Sequence, residues 1–289
     1  MSLTSSFEKQ SGRNFVIFHP SDFSRTSGVA FAHALKIALA SKAKLDIMHV
    51  EKHLSAGEPH WLDFPPVRIT LARWGILPPG VRREEVAKTG VRIRKILRSG
   101  SDPVDTMLRH FRGFPPDLIV LATHQRQGLD LWLHKAVAEP LVRRSRAMTL
   151  FVPQRGGGFV SLSTGEVTLK KILIPVARHP HPQTAIDKAS LLARGLGCVS
   201  VQFRLLHVGA RGTAPVVDLR RHSDWSYDIV VRRGDIVGEI LKTESDWRPD
   251  FIVLATQGRL DFLDALRGST TERVLRGAHC PVLAIPIRK

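Results

Sequence analysis

An α/β chain of two doubly wound, parallel-sheet domains with five strands each is what this sequence predicts. Three observations carry that expectation. Apolar, strand-like runs alternate with segments of helical periodicity along the chain, the pattern of a parallel sheet covered on both faces. The phrase "PDLIVLAT" at Pro116–Thr123 returns as "PDFIVLAT" at Pro249–Thr256, an offset of 133 (250 − 117). A length of 289 residues suffices for two domains, each with its own core.

Residues 1–13 form a polar leader without the apolar core of an export signal, so a cytoplasmic location is expected. The first domain, 14–153, opens with the strand "NFVIFHP" and the turn "SDFS". Val29, Ala32, Leu35 and Leu39 then mark a helix by their spacing, and "KLDIMHV" is the second strand. A third strand is expected from Arg92 to Leu97. Helical "PVDTMLRHF", buried "DLIVLAT", another helix and "AMTLFVP" complete the series. Residues 154–169 read as a linker, being rich in glycine, serine and threonine.

The second domain, 170–289, repeats the order: "KKILIPV", a helix from Gln183, "SVQFRLLHV", "YDIVVRRGD", helical "IVGEILKTES", "DFIVLAT", a helix and "CPVLAIPI". Pro20 matches Pro175, Val50 matches Val208 and Gly100 matches Gly234. The last interval spans 50 residues (100 − 50) in the first copy and 26 (234 − 208) in the second. The excess places an insertion at about 52–91, whose paired prolines, Trp61 and Trp74 mark a partly ordered flap.

Charge bounds the function further. The net charge is +17, with 24 basic and 13 acidic residues up to position 160 and 19 and 13 beyond it. Such a field attracts polyanions. No zinc-finger spacing, RNP-like aromatic pattern or reading helix accompanies it, so a specific nucleic-acid role is not expected. No run approaches a membrane span. Cys198 and Cys280 are too few for a disulfide framework and read as small core residues.

The chemistry concentrates after the repeated phrase. "DFIVLAT" delivers Gln257 and Gly258 to the carboxyl edge of the sheet, where open parallel sheets bind ligands. Nine residues later Gly268-Ser269-Thr270 precedes a helix. Ser269 and Glu272 have capping-box spacing, and Gly277 is expected to close the helix. A helix start preceded by glycine offers unpaired N–H groups and partial positive charge to an anion. The structural alternative, ordinary capping and turning, explains the same residues.

The spacing Gly258-x9-Gly268-Ser269, ending in "CPVLAIP", resembles the nucleotide signature of the universal stress protein family. So do "VIFHPSDFSRTS" with Asp22 and the pairs His49-Val50 and His207-Val208. The resemblance covers nearly the whole chain apart from leader, linker and flap. It implies a tandem protein with ATP or a related adenine nucleotide at the second domain, and Mg2+ only together with that nucleotide. The implied nucleotide-binding residues are Val208, Ala255, Gly258, Gly268, Ser269 and Thr270. Ala255 stands where the family has glycine, and Ala177 where it has the early aspartate.

The first copy keeps Asp22 and Val50 but carries Ala122, Gln125, Lys135 and Ala136 in place of the motif. Pro140 moves the expected helix start to about Glu139. This pocket is expected to have lost the ligand, with the flap occupying or roofing it. By the family's habit, the two last strands, "MTLFVP" and "PVLAIPI", would pair within one chain or with a second copy.

Other constellations are weaker. His179 and His181 lie two apart, and His53 and His60 flank the flap, but neither spacing resembles a zinc site, so no metal is expected. No nucleophile–base arrangement or serine elbow appears, so no catalytic residue is assigned. The expected function is a stress-response regulatory or binding protein with at most slow ATP hydrolysis. The alternatives are a non-nucleotide interaction protein on the same scaffold, or nucleic-acid association through the basic surface.

Overall fold

Residues 15–24, 27–52, 63–123, 138–154, 158–219, 223–257 and 270–287 are described by the structure, a computed structural model. They divide into two compact units. One holds the described residues up to Ala147 with Val160–Glu166; the other holds Met148–Phe159 with those from Val167 onward.

The first unit runs β1 (Val16–Pro20), α1 (Ser27–Ser41), β2 (Lys44–Glu51), α2 (Val67–Arg73), α3 (Arg83–Ala87), β3 (Arg92–Ser99), α4 (Pro103–Gly113), β4 (Leu118–Thr123) and α5 (Ala138–Ser145). Its strands lie parallel in the order β3-β2-β1-β4. Sequence boundaries agree to within about two residues, the usual fraying uncertainty. Helix α1 is apolar on most sides and accordingly buried at Val29, Phe31, Leu35 and Ile37. Helix α5 starts at Ala138, one residue before the expected position. Pro140 sits in its first turn, where a missing N–H costs no intrahelical bond.

The second unit runs β5 (Met148–Pro153), β6 (Lys171–Pro175), α6 (Gln183–Gly195), β7 (Val201–Val208), β8 (Trp225–Arg232), α7 (Ile236–Trp247), β9 (Phe251–Gln257), α8 (Thr270–Gly277) and β10 (Val282–Ile287). The strand order is β5-β10-β9-β6-β7-β8. All are parallel except β5, which pairs antiparallel with β10, Phe151 opposite Val282. Each sequence repeat thus supplies five strands in a doubly wound arrangement.

The repeated residues have repeated work. Asp117 accepts a hydrogen bond from Val16 N at 2.8 Å, and Asp250 accepts from both Lys170 N and Lys171 N at 2.8 Å. Each carboxylate thereby fastens the start of one central strand, which accounts for the aspartate in both copies of the phrase. The histidine ending the second strand is repeated too. His49 Nδ1 bonds Ser21 O at 2.6 Å, and His207 Nδ1 bonds Val176 O at 3.1 Å. Each ring ties its strand to the turn that follows β1 or β6. Asp102 caps α4 by accepting from Val104 N at 2.7 Å, and Asp235 caps α7 by accepting from Gly238 N at 2.8 Å.

Several sequence expectations are corrected. Gly277 ends α8 without a left-handed conformation; a Cβ there would lie 2.5 Å from Leu241 Cδ1, so close helix packing is its reason. Cys198 and Cys280 are half-buried in the loops before β7 and β10, not core residues within elements. Burial, and then Asp250, push the Cys198 thiol up to about 11. The segment read as a linker is packed. Phe159 is 1% exposed and meets Phe251 edge-on at 5.2 Å, and Val160 is 2% exposed. Within the first unit Trp74 Nε1 donates to Leu162 O at 3.2 Å, and the indole leaves no room for a Cβ on Gly165, which has φ +69°. The flap's tryptophan and this turn therefore need each other.

A charged cluster also anchors β2 to β3 and α4. Asp46, wholly buried, takes both oxygens to Arg94, at 2.9 Å from Nε and 2.6 Å from Nη2. His110 Nε2 lies 3.4 Å from Oδ2 and Lys44 Nζ 3.7 Å from Oδ1. Burial would raise the Asp46 pKa, but the hydrogen bonds of His110 and Arg94 and the charges of Arg94 and Lys44 outweigh it. The group stays below the ordinary aspartate range. Breaking a buried pair costs more than removing it whole. Arg94→Ala is expected to destabilise the first unit by about 3 kcal/mol, and Asp46→Leu in the same chain to restore much of that. Urea unfolding measures both; an Arg94→Ala chain as stable as the parent would refute the assignment.

Candidate functional site

In each copy the chain leaves the central strand between neighbours on either side, so the carboxyl ends of β1 and β4, and of β6 and β9, flank a switch point. The two edges differ in what occupies them.

In the first unit Asp22 engages one of its carboxylate oxygens locally. Its Oδ1 accepts from Ser24 N at 3.0 Å and Ser24 Oγ at 2.6 Å, closing a local turn. Phe23, with φ 61°, stacks on the His49 ring at 3.8 Å between centroids. Phe64 from the insertion meets Phe23 edge-on at 5.0 Å and is 1% exposed. An aromatic stack thus covers the end of β2 beside half-buried Val50. The sequence put Trp61 and Trp74 forward as the flap's covering residues. Phe64 meets Phe23, which stacks on His49; Trp74 packs on the 161–166 turn; Trp61 lies outside the described residues. Gln125, Lys135 and Ala136 also lie outside them.

Beneath this edge sits a histidine that sequence reasoning missed. His19 in β1 is wholly buried, with Nδ1 3.0 Å from Val120 O and Nε2 3.1 Å from Ser27 Oγ. A carbonyl only accepts, so Nδ1 carries the proton and neutral Nε2 accepts from the hydroxyl. Burial lowers its pKa to about 4, against the opposing effects of the Val120 bond and Asp22. Strand position in "VIFHP" was the available signal, since every other residue there is apolar.

In the second unit the same edge lacks aromatic cover among the described residues. Ala177 is exposed, and no carboxylate replaces the one its position would carry. The loop after β7 is instead tied down by neutral and cationic donors. Arg178 Nη2 donates to Gly212 O at 2.7 Å, and Gln183 Nε2 donates to Asp218 O at 2.9 Å while its Oε1 accepts from Asp218 N at 2.8 Å. His207 Nε2 meets Thr213 Oγ1 at 2.9 Å, so this histidine is fully engaged in structure. Val208, half-buried, ends β7 beside Gly209, which has φ +157° and where a Cβ would lie 2.9 Å from His207 Nε2.

Ala255 is half-buried in β9, and Thr256 next to it is buried. Thr256 Oγ1 has no hydrogen-bond partner among the described residues. A buried hydroxyl in that state is uncommon and calls for an explanation. Helix α8 begins at exposed Thr270; Glu272 pairs with Arg276 one turn on, and its expected capping box with Ser269 falls outside the described residues. Gly258, Gly268 and Ser269 lie outside the described residues. The structure therefore brings Val208, Ala255 and Thr270 onto the elements that bound one edge, with the glycines on the connection between β9 and α8.

His179 and His181 are exposed, and His181 Nε2 is 3.2 Å from Val216 O. Among the described residues no group of three or more His, Cys, Asp or Glu is placed to hold a metal, and no helix is long and apolar enough to cross a membrane.

Comparison with known proteins follows the same lines. The model of the universal stress protein family matches residues 16–153 and 210–286. The stretch holding Ala177 falls between these matches. No curated protein sequence matches the chain. Among solved structures, a universal stress protein from Archaeoglobus fulgidus superposes with TM-score 0.59 at 14% identity, covering 94% of this chain and 98% of that one. A putative universal stress protein from Pseudomonas aeruginosa gives 0.62 at 16% identity, over 94% and 93%. The cytoplasmic domain of a prokaryotic cation chloride cotransporter gives 0.53 at 10% identity, over 94% and 95%. At these identities the likeness speaks to fold.

Proposed function

The chain belongs to the universal stress protein family, and on that premise we propose that it is a cytoplasmic, stress-response binding protein taking ATP or a related adenine nucleotide at its second unit. The supporting observation is the hydroxyl of Thr256, buried near the end of β9 two residues before Gly258 and without a hydrogen-bond partner among the described residues. A ligand seated at this edge would supply the missing partner. The residues proposed to hold it are Val208, Ala255, Gly258, Gly268, Ser269 and Thr270, the last of which opens α8, where amide donors favour phosphate. Mg2+ would arrive with the triphosphate and offset its charge. No described side chain is arranged as a nucleophile or general base there, so binding with at most slow hydrolysis is the proposed behaviour, coupled to a change in shape or association.

The first unit is proposed to be silent for nucleotide. Asp22 Oδ1 is held by Ser24, and Phe23, met edge-on by Phe64, stacks on His49 next to Val50. A second reading, an interaction protein without nucleotide, draws on exposed Ala177 and the methyl of Ala255. Isothermal calorimetry with ATP separates the two. The proposed function expects saturable binding by purified protein and release of adenine nucleotide on denaturation. Heat-free titration of a folded chain favours the second reading.

A further inference from the structure

Among the described residues each unit has one strand at the end of its order with a neighbour on one side only, β3 in the first and β8 in the second. An open edge invites another strand unless charge blunts it. The two edges differ in that respect. β3 carries Arg92, Arg94, Lys95 and Arg98 with no carboxylate, so it would repel a copy of itself. β8 reads "WSYDIVVR", and its Asp228 and Arg232 stand symmetrically about Val230. Ile229 between them is 56% exposed. The main chain is turned outward at the same place. Arg232 O accepts from Gly209 N at 2.8 Å, so Arg232 directs its polar groups toward β7. Alternation along the strand then points the N–H and C=O of Ile229 and Val231 away from β7. Asp228 meets Arg204 Nε at 2.9 Å and Nη2 at 2.7 Å, both through Oδ2, which leaves Oδ1 for a further cation. Exposed Arg232 has no carboxylate partner among the described residues.

We infer that β8 pairs antiparallel with β8 of a second copy of this chain, with Val230 on the two-fold axis. In that register Ile229 of each copy exchanges main-chain hydrogen bonds with Val231 of the other. Asp228 of each copy then lies opposite Arg232 of the other, in the pairs whose side chains approach most closely. Centring the axis on Ile229 or on Val231 instead sets Val230 against Asp228 or against Arg232, and both ion pairs are lost. One short stretch thus supplies both halves of its own complement, which is the requirement of an isologous contact. The pairing differs from one through the last strands, since β10 already pairs with β5. It does not rest on the nucleotide reading of the second unit.

Sedimentation equilibrium of the full chain in about 0.15 M salt, which screens its net charge of +17, tests the inference. A dimer with a Kd of about 10 µM is expected from so small a contact. Ile229→Lys, at an exposed position where the fold tolerates change, should weaken it at least about tenfold. Arg232→Asp sets carboxylates against each other across the axis, and Asp228→Arg sets guanidinium groups against each other. Each of these variants alone should be monomeric at about 50 µM. Mixed in equal amounts they should form a heterodimer about as tight as the parent dimer, because every facing pair is then of opposite charge. Loss of the Arg204 contact in Asp228→Arg cannot produce that recovery. A parent chain still monomeric at about 100 µM, a dimer indifferent to Ile229→Lys, or charge variants that stay apart when mixed would each overturn the inference.

Discussion

Acidification from pH 6.5 to pH 4.5 is expected to destabilise the first unit by about 5 kcal/mol, through two histidines that fold only in the neutral form. His19 and His33 are wholly buried, and burial lowers each pKa from 6.5 to about 4 despite the carbonyl bonds to Val120 and Val29. In the unfolded chain both rings take protons near pH 6.5; in the folded chain they stay neutral to about pH 4. Between those values the unfolded state binds more protons, so stability is full above pH 6.5 and falls as the pH drops. Each ring contributes about 1.4 kcal/mol per pH unit across the window, so the pair loses about 2.7 kcal/mol per unit. Asp46, whose pKa is held down, adds a further loss only below the ordinary aspartate range. Domains are stable by about 5–15 kcal/mol, so a first unit near the lower end would unfold close to pH 4.5. Urea unfolding at several pH values measures this. Stability unchanged between pH 7 and 4.5 would show that the rings titrate freely.

Gly268→Val is expected to weaken adenine-nucleotide binding at least about a hundredfold, with the second unit still folded. The residue lies two positions before Thr270, the first described residue of α8. Amides at a helix start serve an anion only if the backbone comes within hydrogen-bond distance of it. A branched side chain interposed there holds the phosphates off and restricts the backbone conformations glycine permits. Unaltered ATP affinity in this variant would mean that the phosphates do not meet the helix start. Far-ultraviolet circular dichroism, compared with the parent, separates lost binding from lost folding.

Most of the architecture was legible because it rests on local chemistry. Strands such as "DLIVLAT" and "DFIVLAT" are apolar throughout, and only a sheet covered on both faces accommodates them. The repeated aspartates and the repeated His-Val pairs located equivalent strands, though their structural roles as fasteners appeared only with the hydrogen bonds of Asp117, Asp250, His49 and His207. Long-range side-chain partnership was not legible. Nothing in "SDFS" announces that Phe23 will stack on His49, or that Phe64, more than forty positions later, will meet Phe23 edge-on. Gly165 likewise reads as linker composition, yet its hydrogen is required by Trp74. His19 and His33 look like ordinary polar interruptions until their burial is seen. In the second unit, spacing marked the glycine motif, while the unpartnered Thr256 hydroxyl beside it has no signature in sequence.

Counting ATP molecules bound per chain decides whether the two copies have diverged as argued. Titration calorimetry of the full-length protein with ATP and Mg2+ is expected to give one site per chain, and none after Gly268→Val. Two equivalent sites, or a single site that survives Gly268→Val, would contradict the account.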